Sequence, residues 1–215
     1  MIHSEIDNKP AVDFNPFEGE PIQKVVPSTE SQKEIFASCL LGEKDANLAY
    51  NLSMSLDFTG DLNIDVLKEC TADLVQRHES LRSSFSDDGG HMIIYEHQTV
   101  PFLYEDLTQL SIAQQKEEVD SYLWRDAETE FDIVNGPLIR FALFRLAADK
   151  HLFAITVHHL ICDGWSLGIL LEDLSKFYNS KLSGTPLPPK ASAFSEYAVK
   201  SILFEDTDDY KKIVD

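Results

Sequence analysis

The clearest hydrophobic pattern is a strict alternation of apolar and polar residues over positions 51–58, with Leu52, Met54, Leu56 and Phe58 as its apolar members. A period of two places alternate side chains on opposite faces, so this segment is predicted to be a half-buried strand. Residues 138–146 and 152–157 are predicted to form two more strands. The second run is almost continuously apolar, which is typical of a central strand buried on both faces.

Apolar residues at helical spacing predict helices over 64–78, 111–128, 166–182 and 194–204. An earlier helix is expected to begin after the hydroxyl caps Ser28 and Thr29 and to end at Gly42. Residues 81–85 and 91–95 are predicted to pair as a hairpin around the turn at 87–90. Helices and strands are thus mixed, and we expect an α+β fold with a mixed sheet and packed helices.

Prolines at positions 10, 16, 21 and 27 interrupt any periodic pattern in the first segment, which we interpret as a tail or linker over residues 1–27. Residues 28–204 are predicted to form one folded unit. The final helix then leads into an acidic stretch within residues 205–215.

The chain is strongly acidic. Its 215 residues carry a formal net charge of −19, which disfavours nucleic acid as a partner because phosphates would be repelled. No apolar run approaches the roughly 18 residues of a membrane span, and the start lacks a signal-peptide pattern. The three cysteines are far apart and form no zinc or disulfide framework, so we expect a cytoplasmic protein.

The most informative stretch for chemistry is 157–166, Val-His-His-Leu-Ile-Cys-Asp-Gly-Trp-Ser. Two histidines leave a buried strand, and a short turn then leads into a helix. An imidazole titrates near neutral pH, so it can accept a proton from a nucleophile. Other interpretations stay open at this stage: one histidine buried and one exposed, a metal site, or Asp163 as a helix cap. A shared metal is disfavoured because His158 and His159 lie on opposite faces of an extended chain.

This run resembles the His-His-x-x-x-Asp-Gly motif of nonribosomal peptide synthetase condensation domains, whose lobes have the chloramphenicol acetyltransferase-like fold. Residues 77–85, Arg-His-Glu-Ser-Leu-Arg-Ser-Ser-Phe, are similar to a second condensation-domain motif, Arg-His-Glu-x-Leu-Arg-x-x-Phe. Residues 28–36 and 194–199 are looser matches to two further motifs. Since the chain has about half the length of such a domain, the resemblance implies an N-terminal lobe over 28–204 without the C-terminal lobe, and 205–215 as the start of the connection between lobes.

The resemblance implies amide formation between a donor acyl or peptidyl thioester and an acceptor amine. Both substrates would arrive on phosphopantetheine arms of carrier proteins, and the lobe itself would bind no cofactor or metal. His159 matches the catalytic histidine, and His158 is expected to be structural. Asp163 is expected to pair with an arginine, Arg77 or Arg82.

Two smaller expectations concern the helix start. We expect the Gly164 N–H to be a candidate oxyanion donor. Ser166 is expected to cap the following helix, and Trp165 to pack against neighbouring residues. Because the second lobe is absent, the isolated chain is expected to be inactive.

Two alternatives remain. A single-lobe, trimeric, CoA-dependent acetyltransferase has a similar length, but its histidine motif lies near the C-terminus, whereas 51 residues follow Gly164 here (215 − 164). A non-catalytic module that docks carrier proteins is the other alternative. It is disfavoured by the repulsion between an acidic lobe and acidic carriers.

Overall fold

The computed structural model describes residues 20–205, in which two β-sheets pack with six α-helices. In chain order the elements are β1 (Ile22–Pro27), α1 (Glu30–Leu41), α2 (Glu43–Ala49), β2 (Asn51–Thr59), α3 (Ile64–Arg77), a 3-10 turn (Glu79–Arg82), β3 (Ser83–Phe85), β4 (His91–Tyr95), β5 (Phe102–Asp106), α4 (Ile112–Ala127), β6 (Ile139–Ala147), β7 (Lys150–His158), α5 (Gly164–Ser183) and α6 (Phe194–Glu205). The predicted α+β class is confirmed.

The strand β7 lies inside the four-stranded sheet, whose order is β2-β7-β6-β5. It runs antiparallel to both β2 and β6, while β5 joins β6 in parallel at the edge. Every residue from 153 to 158 is buried, which confirms the prediction of a central strand. Because hydrogen-bonded neighbours hold β7 on both sides, the residues at its end have a fixed position.

Helices cover both faces of this sheet. On one face, α3 and α5 contribute Leu74 and Leu174 to the larger core, which also contains Phe153 of β7. On the other face, α4 contributes Val119 to a smaller core that includes Phe144 of β6. Odd and even positions of β6 and β7 thus contribute to different cores, as the pleat requires.

Helix starts follow the capping chemistry of the sequence. Thr29 caps α1 and forms a capping box with Gln32, and Ser111 forms the same arrangement with Gln114 at the start of α4. Gly42 ends α1 as predicted.

The smaller sheet has the order β1-β4-β3 and contains the predicted hairpin of β3 and β4. Gly89 in its turn has φ +68°, and a Cβ there would lie 2.3 Å from the Phe36 ring. Only glycine fits this position, because it tolerates the left-handed backbone and adds no atom against the core.

One secondary-structure prediction was wrong, and two short elements were missed. Residues 22–27 were interpreted as part of a tail, yet they form β1, which pairs with β4. Proline is tolerated at the end of an edge strand, so Pro27 does not prevent this pairing. The short elements α2 and β5 were missed because neither segment has a periodic hydrophobic pattern. Residues 1–19 of the predicted tail, and 206–215 of the predicted connection, lie outside the described residues.

Candidate active site

The two histidines of the motif are located where β7 ends. His158 pairs with Asn51 of β2, and the backbone N–H of His159 donates to the carbonyl oxygen of Tyr50 at 2.9 Å. His158 is fully buried, whereas His159 is partly exposed. Alternation along the extended chain gives the two neighbouring imidazoles these different surroundings.

The His158 ring is held on several sides by core groups. Its Nδ1 accepts the backbone N–H of Leu160 at 3.2 Å, which places the ring proton on Nε2, 3.9 Å from Cys39 Sγ. The rings of Tyr50 and Phe131 lie 6.1 Å from it, centroid to centroid. Burial, with a smaller contribution from His159, lowers the pKa of His158 to about 4. The side chain is therefore neutral at pH 7 and belongs to the core.

The His159 ring lies in a more open position. The Tyr50 ring packs edge-on against it, with the centroids 6.4 Å apart and the planes at 87°. Within residues 20–205, no side chain or backbone group forms a hydrogen bond to its ring nitrogens. Both nitrogens are thus available for a hydrogen bond with a substrate.

Asp163 caps the helix that follows the histidines. Its Oδ1 accepts the Ser166 N–H at 2.7 Å and the Ser166 hydroxyl at 2.6 Å. These two bonds lower the pKa of Asp163, with a smaller contribution from the nearby His159. The predicted capping role of Ser166 was wrong: the helix begins earlier, at Gly164, and Asp163 is the cap.

The predicted arginine partner of Asp163 is absent from the described part of the chain. Arg77 donates instead to Asp173 Oδ2, at 2.7 Å. Arg82 donates to Gln23 Oε1 at 2.9 Å and to the Tyr95 carbonyl. The physical reason is that Asp163 turns back onto the first turn of α5, while Arg77 reaches α5 ten residues further along (173 − 163).

Gly164 is the first residue of α5 and is exposed. A Cβ at this position would meet no atom within 4 Å, so the backbone there is open to solvent. The first N–H groups of a helix have no partner inside the helix, and the helix dipole makes this end positive. The start of α5 can therefore stabilise negative charge on a substrate oxygen.

The residues of the second motif connect several elements. His78 Nε2 lies 3.0 Å from Asp173 Oδ2, beside the Arg77 contact. Glu79 accepts the Ser195 N–H of α6 at 2.9 Å and the Lys24 ammonium of β1 at 2.6 Å. Burial lowers the pKa of His78, although its contact with Asp173 acts in the opposite direction. The second motif thus connects α5, α6 and β1, and its role is structural.

Large apolar side chains lie exposed close to the histidines in sequence. Trp165 is 84% exposed, which contradicts the expectation that it packs, and Ile169 one turn later is 44% exposed. The reason that Trp165 stays exposed is that α5 turns Leu170 and Leu174, rather than Trp165, toward the core.

Sequence reasoning missed Tyr50 and Asp173. Tyr50 directly precedes the alternating segment of β2, so the correct pairing of β2 with β7 would have placed it next to His159. Asp173 falls on the apolar side of α5, between Leu170 and Leu174, and a carboxylate there signals a buried partner.

Among residues 20–205, no group of three or more histidine, cysteine or acidic side chains is arranged to hold a metal ion. The helices in the same range are all too short or too polar to cross a membrane.

Comparison with known proteins identifies the family. The sequence matches the family model of the condensation domain over residues 22–213. It is 35% identical over 195 residues to tyrocidine synthase 3 of Brevibacillus parabrevis, covering 89% of this chain and 3% of that protein. It is 28% identical over 170 residues to a chondramide synthase of Chondromyces crocatus, covering 78% of this chain and 4% of that protein.

Solved structures show the same fold. The starter condensation domain of the rhizomide synthetase RzmA superposes with a TM-score of 0.75 at 18% identity, covering 86% of this chain and 45% of that one. The first condensation domain of the CDA synthetase gives a TM-score of 0.75 at 20% identity, covering 88% and 47%. The chain therefore spans about half of a condensation domain. Because the family match covers most of the sequence, this chain belongs to the condensation domain family of nonribosomal peptide synthetases and corresponds to its N-terminal, chloramphenicol acetyltransferase-like lobe.

Proposed function

We propose that this chain supplies the catalytic histidine of a condensation domain that joins a carrier-bound acyl or peptidyl thioester to a carrier-bound amine. The observation that carries the proposal is the partly exposed His159 imidazole at the end of a buried central strand, with no hydrogen bond to its ring from the described residues. A rigid strand end holds such a group well, and its free nitrogens remain available to substrate.

The chemistry uses two features of the site. The amine nitrogen attacks the thioester carbonyl carbon, forming the C–N bond, and the carbonyl oxygen takes negative charge. His159 accepts or orients the proton that the nitrogen loses, and the Gly164 N–H at the start of α5 faces the developing oxyanion. When the C–S bond breaks, the departing thiolate takes up the proton, which regenerates the donor arm as a free thiol.

Both substrates are tethered in this proposal. Each arrives on the phosphopantetheine arm of a carrier protein, a donor and an acceptor, and a second lobe covers the open side of His159. The exposed Trp165 and Ile169, one turn apart at the start of α5, support such a cover, since an exposed apolar patch usually marks an interface. Holding two reactants in place can contribute roughly 7–11 kcal/mol to lowering the barrier.

The test compares the whole condensation domain that contains this lobe with the 215-residue chain alone. Each is mixed with a donor thioester and an acceptor aminoacyl thioester on purified carrier proteins, and the amide product is followed by mass spectrometry. The proposal predicts amide formation by the whole domain and none by the chain alone, because the site is then left open.

Two results would contradict the proposal. Acetyl transfer from acetyl-CoA to a free acceptor, by the chain alone as a trimer, would assign it to the acetyltransferases. Carrier binding by the whole domain, without amide formation from any of a panel of acyl and aminoacyl pairs, would favour a docking module.

A further inference from the structure

Tyr50 contacts both histidines of the motif. Its ring centroid lies 6.1 Å from that of His158 and 6.4 Å from that of His159. Its carbonyl oxygen also accepts the His159 backbone N–H at 2.9 Å. One residue therefore fixes the main chain of His159 and packs edge-on against its imidazole.

Tyr50 is itself firmly held at the junction of α2 and β2. The side-chain amide of Asn47 donates to the Phe131 carbonyl at 3.2 Å. The side-chain amide of Asn51 donates to the carbonyls of Ala127 and Thr129, at 2.9 and 3.0 Å. Side-chain bonds on both sides of Tyr50 thus tie its backbone to the end of α4 and to the segment that follows it.

Among residues 20–205, no third group forms the hydrogen bond to the His159 imidazole that usually orients a catalytic base. In many enzymes a carboxylate or amide forms a hydrogen bond to the second ring nitrogen. Here the nearest acid in sequence, Asp163, uses its Oδ1 on Ser166 instead. Within the described residues, the Tyr50 ring is the aromatic contact that limits rotation of the His159 ring.

We propose that Tyr50 is a positioning residue for His159, acting through the face and edge of its ring rather than through its hydroxyl. This inference rests on the proposed function, in which His159 assists amide formation. An edge-on aromatic pair stabilises one orientation of the imidazole, and a misplaced base lowers the rate of a reaction whose geometry is otherwise intact.

The first test measures kcat and KM of the whole condensation domain with carrier-bound substrates. Tyr50→Leu is expected to lower kcat about 10-fold with KM unchanged, because substrate binding does not involve the ring. Tyr50→Phe keeps the ring and is expected to restore kcat to within about twofold of the wild type. Tyr122→Leu is the matched control, since Tyr122 makes an edge contact with Phe144 in the core on the opposite face.

The second test observes the imidazole directly in the 215-residue chain by NMR, with the His159 signals assigned from their loss in His159→Ala. We expect Tyr50→Leu to move these signals, because the ring current and the preferred rotamer change together, and Tyr50→Phe to leave them in place. If Tyr50→Leu fails to fold, Tyr50→Met replaces it, since methionine fills a similar space without a ring.

The outcomes separate this inference from the proposed function. A normal kcat in Tyr50→Leu, while His159→Ala is impaired, would overturn the inference alone. An equal loss of kcat in Tyr50→Phe and Tyr50→Leu would also overturn the inference, because the hydroxyl would then be the part of Tyr50 that matters. A normal rate in His159→Ala would contradict the proposed function itself. The inference is supported if Tyr50→Leu lowers kcat no further in a domain that already carries His159→Ala.

Discussion

At the scale of single residues, the site depends on two adjacent imidazoles in opposite surroundings. His158 is enclosed by Cys39, Tyr50 and Phe131 and bonds the Leu160 backbone, so it fixes the start of the turn as a neutral group. His159 follows on the open side. The same strand thus supplies a structural histidine and a chemically available one, one residue apart.

The buried His158 predicts a loss of stability in mild acid. The unfolded chain binds a proton near pH 6.5, whereas the folded His158 has a pKa of about 4, so acidification between these values favours the unfolded state. We expect about 2 kcal/mol of unfolding free energy to be lost through His158 between about pH 7 and about pH 4.5. Urea unfolding at the two pH values measures it.

The matched comparison uses His158→Gln and His91→Ala. His78 and His151, whose pKa values are also lowered by burial, contribute in the same direction in every variant and cancel. The unfolding free energy of His158→Gln should change less with pH than that of the wild type. His91→Ala, which removes an exposed histidine, should match the wild type. A pH dependence unchanged in His158→Gln would contradict the buried, neutral state.

The sequence predicted two histidines on opposite faces at the end of a buried strand, and the family resemblance implied which of them is structural. Neither predicted the partners of the charged groups. From the family resemblance, Asp163 was expected to pair with Arg77 or Arg82. In the structure, Arg77 forms its ion pair with Asp173 instead. Which acid an arginine meets depends on how α3 and α5 pack, and that arrangement is not encoded in local spacing.

At the scale of elements, α5 is fixed at two points. Asp163 caps its N-terminus, and Asp173 in its middle accepts Arg77 and contacts His78 at the end of α3. The first contact fixes where α5 begins, and the second holds α5 against α3.

The buried ion pair of α5 predicts that two neighbouring acids, Asp173 and Glu172, contribute very differently to the free energy of unfolding. Asp173→Ala leaves the Arg77 guanidinium without its carboxylate in a largely buried setting, and is expected to cost about 3 kcal/mol of unfolding free energy. Glu172→Ala breaks only the exposed pair with Lys176 and is expected to cost about 0.5 kcal/mol. Urea unfolding of both variants measures the difference, and equal losses would contradict this account of α5.

Elements with a strong period were predicted well. The alternation in β2 and the apolar run in β7 each indicated the correct strand and degree of burial. α2 and β5 lack such a period: α2 follows α1 directly across Gly42, and β5 exists through its pairing with β6. Their structure is decided by tertiary contacts, which no window of the sequence contains.

At the scale of the whole molecule, the lobe presents its chemistry at an open surface. The four-stranded sheet carries helices on both faces, and β7 delivers His159 at its end beside the exposed start of α5. The chain spans about 45% of the solved condensation domains that it resembles. In the proposed domain, this lobe positions His159, and a second lobe covers the open side of the site.

The most direct measurement is a single-turnover assay of amide formation by the whole domain, with saturating carrier-bound donor and acceptor. His159→Ala is expected to slow the chemical step about 10²–10⁴-fold, because general base assistance is lost while tethering remains. His91→Ala, an exposed histidine on β4, serves as the control and should react at the wild-type rate. A His159→Ala domain that forms the amide as fast as the wild type would contradict the central role of this imidazole.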